Sequence, residues 1–168
     1  GTVTATGTAG DALKSDNVED ADRGYVAVLG GTVKATAGDD GISAASDAVV
    51  GGGTLTIAAQ GDGIHGDVSA TVGGGTTTVT ESGEGLESKV ITIDGGTLDL
   101  TSSDDGINGS DGSGGVSGAG GGPGGSSAVS GVSGVNVTIS GGTITVTSAG
   151  DGLDSNGDLT ITGGTTVV

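Results

Sequence analysis

The tripeptide Gly-Gly-Thr returns at Gly30, Gly52, Gly74, Gly95, Gly141 and Gly163, at separations of 22, 22, 21, 46 and 22 residues. A fixed period of this length marks a stacked-repeat architecture, in which each repeat buries its apolar face only against its neighbours. Aliphatic residues alternate on both sides of each corner. Before it stand Val26 and Val28, Ala48 and Val50, Ala70 and Val72, Ile91 and Ile93, Val137 and Ile139, Leu159 and Ile161. After it stand Val33 and Ala35, Leu55 and Ile57, Thr77 and Val79, Leu98 and Leu100, Ile144 and Val146. Period-two alternation describes two strands meeting at a bend, each with one face inside.

A second motif supplies a third, shorter side. Leu13, Ile42, Ile64, Leu86, Ile107 and Leu153 each follow an acidic residue and, in all but the first copy, a glycine, as in "GDGI", "GEGL" and "DDGI". Three short strands per coil of about 22 residues predict an all-β chain, a right-handed parallel β-helix (β-solenoid) of roughly six to seven coils, the hand following crossover chirality. A single domain over 1–168 is expected, with insertions at 17–24 and at 109–134, the latter Gly/Ser-rich.

Acids follow the second motif closely. The seven-residue windows centred on its aliphatics contain Asp11 and Asp16, Asp39 and Asp40, Asp62 and Asp67, Glu84 and Glu87, Asp104 and Asp105, Asp151 and Asp154. Those six windows hold 12 of the 21 acids. A solubilising surface would scatter them. Stacking at about 4.8 Å would set Asp11, Asp40, Asp62, Glu84, Asp105 and Asp151 in a ladder. Neighbouring rungs would repel by about 3 kcal/mol at an effective dielectric of 20, which calls for cations between them. Oxygen-rich, flexible corners suit Ca²⁺, and the same acids are the candidate metal ligands. The lone His65 and the absence of cysteine argue against zinc or copper. The competing reading is turn chemistry, in which each Asp bonds its own turn and glycine supplies positive φ.

With "GDGI", "GEGL", "DDGI" and "GDGLDSNGDLTITGGT" in view, the chain resembles the bacterial calcium-binding parallel β-helix proteins known as carbohydrate-binding domains, whose shape is similar to polysaccharide lyases. The resemblance covers nearly the whole chain. It implies export, calcium in the D-G-[IL] corners, and affinity for acidic or cellulosic polysaccharide. Position by position, it implies Asp40, Asp62, Glu84, Asp105 and Asp151 as calcium ligands, with Asp67 and Asp154 assisting. The first copy, "GDALKSD", departs from the pattern, with Ala12 for glycine and Lys14 following.

Charge excludes other partners. With 21 acids against 4 bases, a net of −17, nothing here neutralises nucleic-acid phosphates. No apolar stretch is long enough to span a membrane. The chain opens within a repeat, so the expectation is an extracellular or cell-surface protein whose export signal has been removed. Lyase chemistry would need a base, and the cations are only Lys14, Arg23, Lys34 and Lys89, so no enzyme is expected. Sugar platforms favour aromatic faces, and Tyr25 is the sole aromatic residue.

The leading expectation is therefore a calcium-bound structural subunit that stacks head to tail into a surface or matrix fibre. Thr2, Val3, Thr4, Thr165, Thr166, Val167 and Val168 would be its assembly ends, since no polar cap is present. Calcium-dependent carbohydrate binding is the alternative. Ice binding, suggested by rows such as Thr76, Thr78 and Thr80, is remote because Lys34, Ala58 and Asp99 interrupt that face.

Overall fold

The computed structural model describes residues 1–20, 22–112 and 134–168. Among them the regular elements are all strands, and no helix is long and apolar enough to cross a membrane. In chain order they begin β1 (Thr2–Gly7), β2 (Leu13–Ser15), β3 (Val26–Val28), β4 (Thr32–Ala37), β5 (Ile42–Ala44), β6 (Asp47–Val50), β7 (Thr54–Ala58), β8 (Ile64–Val72) and β9 (Thr76–Glu81). They continue β10 (Leu86–Ile93), β11 (Thr97–Ser102), β12 (Ile107–Gly109), β13 (Asn136–Ile139), β14 (Thr143–Ser148), β15 (Leu153–Ser155), β16 (Asp158–Ile161) and β17 (Thr165–Val167).

The strands form two parallel sheets. One orders β1-β4-β7-β9-β11-β14-β17, and the other has ten strands. In the ten-stranded sheet, β8 and β10 are long enough to serve two rows. Their first halves join β2, β5, β12 and β15, and their second halves join β3, β6, β13 and β16. Along the chain, a strand of the first sheet is followed by one of each row before the first sheet is entered again.

The sequence period becomes sheet register. Thr2, Thr32, Thr54, Thr76, Thr97, Thr143 and Thr165, the residues after each corner, stand opposite one another across seven strands. The second glycine of every Gly-Gly corner has φ between 82° and 88°, a conformation that costs glycine nothing and other residues about 1–2 kcal/mol. At the acid corner the glycine has a different job. Gly63 has no positive φ, but a Cβ there would lie 2.6 Å from the Gly85 carbonyl oxygen. Packing space between successive coils, rather than positive φ, requires glycine at that corner.

The alternation predicted from sequence is the alternation of burial. In β4 and β11 every second side chain is buried. The interior is aliphatic, and its largest fully buried members include Leu55, Ile57, Ile64, Leu86, Leu98, Leu100 and Ile107. Leu159 and Ile161 depart from the expected inward set, at 44% and 51% exposed. Their strand, β16, is bonded only to β13, so no further row covers them among the described residues. β1 and β17 are the edge strands of the seven-stranded sheet. They leave the expected assembly residues Val3 and Val167 at 49% and 57% exposed, with Val168 beyond them at 68%. The 17–24 insertion lies between β2 and β3, without strand structure at its described residues. Most of the 109–134 insertion, residues 113–133, lies outside the described residues.

Candidate functional site: the acidic edge

The acid corners lie on the row of β2, β5, β8, β10, β12 and β15, whose leading residues Leu13, Ile42, Ile64, Leu86, Ile107 and Leu153 stand in register. One residue later comes a second column: Lys14, Ser43, His65, Glu87, Asn108 and Asp154. The acids two places before each aliphatic are tied together by the backbone. The Asp40 N–H donates to Asp11 Oδ1 at 3.0 Å, Asp62 N–H to Asp40 Oδ1 at 2.9 Å, Glu84 N–H to Asp62 Oδ1 at 3.3 Å and Asp151 N–H to Asp105 Oδ1 at 2.6 Å. Each of these carboxylates thus caps the next coil's amide, which corrects the view that the Asp would bond its own turn. A buried N–H must find an acceptor, and here the preceding coil's side chain provides it.

Glu84 breaks the pattern. Its extra methylene carries the carboxylate past the next amide, and Oε1 instead accepts Asn108 Nδ2 at 2.8 Å. The other oxygen, Oε2, is buried and has no hydrogen-bond partner, and the same holds for Asn108 Oδ1. Burial, with Glu87, Asp62 and Asp105 nearby, pushes the Glu84 carboxyl up to about 7. Burial likewise raises Asp40, despite the amide it accepts from Asp62.

Two side chains bring positive charge into the ladder. His65 Nδ1 is 3.1 Å from Asp62 Oδ2 and 3.2 Å from Glu87 Oε2, and its Nε2 is 3.0 Å from Asp67 Oδ1. Carboxylates only accept, so a ring bonded at both nitrogens carries both protons. Hydrogen bonds to Asp62 and Glu87 raise its pKa to about 11. At the first rung, Lys14 Nζ lies 2.7 Å from Asp11 Oδ2. Asp11 is lowered overall: burial alone would raise it, and Lys14 and the Asp40 amide more than offset that. Sequence reasoning set His65 aside as a zinc ligand and missed it as a counter-ion. Its place in the same column as Lys14 was the available signal. Asn108 was missed as well, since an amide does not show in a tally of acids.

The structure gathers some of the expected acids and separates others. Asp11, Asp39 and Asp40 offer ligand atoms within 4.8 Å of one another, as do Asp40, Asp62 and His65, and Asp62, Glu84 and Glu87. Asp16, Asp104, Asp105, Asp151 and Asp154 join no such group among the described residues. Beside the ladder, a cleft of about 270 Å³ is lined by His65, Asp67, Glu87, Ser88, Ser110 and Asp111 among others. A second, of about 210 Å³, is lined by Lys14, Asp16, Ser43 and Asp67 among others. Asp67, exposed at its side chain, belongs to both. Tyr25 is 54% exposed and lines neither cleft.

No curated protein and no solved structure matches the chain. A family model does match, over residues 1–109 of the 168. By that match the chain belongs to the family of carbohydrate-binding domain-containing proteins.

Proposed function

We propose that this chain is a non-catalytic, extracellular or cell-surface carbohydrate-binding module, one right-handed parallel β-helix over 1–168, that takes a glycan along its acidic edge with the help of Ca²⁺. The coil reading is supported by the fixed rotation of the chain through three rows of parallel strands, and its hand by crossover chirality. The observation that carries the function is the pair of clefts meeting at Asp67, in a chain of a carbohydrate-binding family. Together they run along the stacking direction, as an extended polysaccharide would.

The chemistry of the lining fits sugar hydroxyls. Asp67 and Glu87 carboxylates accept O–H donors, and His65 between them holds both in place, so little ordering is left to be paid for on binding. Ser88 Oγ is committed to the Gly66 carbonyl at 2.5 Å and helps shape the floor. With no aromatic stacking platform at the clefts, the ligand is held by polar contacts, and an acidic glycan would meet a chain of net charge −17. Calcium would bridge carboxylates of the protein and the glycan. The resemblance implies Asp40, Asp62, Glu84, Asp105 and Asp151 as the residues that would hold that ion. Lys14 and His65 already serve the first three rungs, which leaves the second half of the ladder as the better fit.

Titration calorimetry with a polyuronate and with a neutral β-glucan, in calcium and in chelator, tests this reading. The expected result is polyuronate binding in calcium that is lost in chelator and weakened by Asp67→Asn with Glu87→Gln, while circular dichroism stays unchanged. Binding of neither glycan, or binding indifferent to both substitutions, overturns it. Stacking of copies into a fibre is the second reading, resting on the exposed Leu159, Ile161 and Val167. Sedimentation velocity with and without calcium separates a monomeric module from a polymer.

A further inference from the structure

We propose that Lys89 is the residue by which the paired clefts select a charged sugar, its ammonium taking a uronate carboxylate of the glycan. The inference rests on the glycan reading above and deepens it. In a chain of net charge −17, one uncommitted cation beside the clefts decides which class of sugar is accepted.

The first observation concerns the four bases. Lys14 Nζ lies 2.7 Å from Asp11 Oδ2, and Arg23 Nε lies 3.0 Å from Asp20 Oδ2. Lys34 and Lys89 pair with no acid among the described residues. Lys34 stands between Thr4 and Thr56 on the outward face of the seven-stranded sheet and lines neither cleft. Among the described residues, Lys89 is therefore the uncommitted base of the sheet that carries the clefts.

The second observation is where the chain puts it. Each coil turns a corner between the two rows of the ten-stranded sheet. Ala44 pairs with Gly66 and Asp47 with Ser69, so Ala45 and Ser46 stand opposite Asp67 and Val68. Ser88 pairs with Gly66 and Val90 with Ser69, so Lys89 alone stands opposite the same two residues. Ala45 lines the smaller cleft, Asp67 lines both, and Ser88, just before Lys89, lines the larger. Lys89 thus continues the line of corner residues along which the clefts meet. Both insertions enter at this corner, one between β2 and β3, the other between β12 and β13. Their described residues bound the line, Val18 at the smaller cleft and Asp111 and Gly112 at the larger. The open corners between them span about four coil steps, roughly 19 Å, room for a short run of sugars with Lys89 near one end.

The third is why protein carboxylates leave the ammonium alone. Asp67, which the register sets opposite Lys89, gives Oδ1 to His65 Nε2 at 3.0 Å, and Glu87 gives Oε2 to His65 Nδ1 at 3.2 Å. On its other side Lys89 passes Gly134, where a Cβ would lie 3.4 Å from Cε and 3.8 Å from Nζ. The side chain is half-buried, so part of its freedom is already lost before a ligand arrives. An ammonium offers three donors and no acceptor, and its hydrogen bond to a carboxylate is about twice as strong as one to a neutral hydroxyl.

Calorimetry in calcium, with a polyuronate and with the same polymer as its neutral methyl ester, tests the assignment on the full chain. The parent should prefer the free acid. Lys89→Gln should weaken free-acid binding about tenfold and leave the ester within about twofold. Lys34→Gln removes the same charge from the other sheet and should leave both polymers within about twofold, which separates a local contact from the overall field of the chain. Lys89→Arg keeps the charge and should keep the preference. A lysine that only relieved the acidic edge would lower Tm when replaced and leave the preference intact, whereas Tm is expected to move by less than about 2 °C. A parent indifferent to esterification, a Lys89→Gln protein that binds the free acid as the parent does, or an equal loss in Lys34→Gln overturns the role of Lys89 and leaves the glycan reading standing. A parent that binds neither polymer overturns both.

Discussion

Replacing Thr77 with valine should stabilise the protein. Thr77 stands where its register partners are Leu55 and Leu98, in the middle of the aliphatic interior. It is 1% exposed, and its Oγ1 has no hydrogen-bond partner. Burying a hydroxyl without a partner costs about 1–3 kcal/mol on protein mutational data. Valine keeps the β-branched shape that a strand favours and puts a methyl where the hydroxyl was, adding about 0.8 kcal/mol of burial. Allowing for imperfect packing of the new methyl, a gain of about 1–2 kcal/mol follows. For a chain of this size that raises Tm by roughly 3–6 °C. Urea denaturation followed by circular dichroism, with calorimetry alongside, reads it. Thr76→Val, on the exposed side of the same strand, is the control and should stay within about 0.5 kcal/mol of the parent. A Thr77→Val protein no more stable than the parent would refute the reasoning, because the hydroxyl would then be satisfied in solution.

Gly53→Ala should cost more than 2 kcal/mol or so, since φ there is 88° and the new Cβ would lie 2.6 Å from the Gly31 carbonyl oxygen, a strain no rotamer relieves. Gly73→Ala meets nothing within 4 Å and should be close to neutral by the same denaturation assay. In chelator, stability should fall steadily from about pH 5 to pH 9. Glu84, raised from 4.5 to about 7, contributes fully below 4.5 and loses its contribution by about 7. His65, raised from 6.5 to about 11, contributes fully below 6.5 and loses it on the way to 11. Glu84→Gln should flatten the lower part of that slope and His65→Gln the upper part in a Tm-against-pH series, and a Tm that rises over this range would contradict both shifts. Thermal hysteresis should be near zero, because Lys34, Ala58 and Asp99 interrupt the threonine face within its second and third columns; a large value would assign that face to ice.

Much of the architecture was legible because a stacked repeat writes its geometry into a single period. The residue after each Gly-Gly corner was identifiable in the sequence and is the residue that aligns across seven strands. Alternation told inside from outside at Val33, Leu55, Leu98 and Ile144, all buried. It failed at Leu159 and Ile161, where burial depends on a neighbouring row and not on the residue itself. The concentration of acids along one edge was equally plain, because the same corner recurs at the same phase.

What the sequence determined by itself, then, was the repeat, its two-residue alternation and the edge on which charge collects. All three are properties of spacing. Only the tertiary structure decided how that charge is managed, because the answer depends on distances between coils. Carboxylates cap amides of the next coil, as Asp40 does for Asp62. Lys14 and His65 serve the first half of the ladder. One methylene takes Glu84 beyond the next amide and onto Asn108, leaving two buried oxygens without a donor. Neither a composition nor a period contains that last fact, since side-chain length and coil spacing must be combined in three dimensions before an unpaired oxygen can be seen.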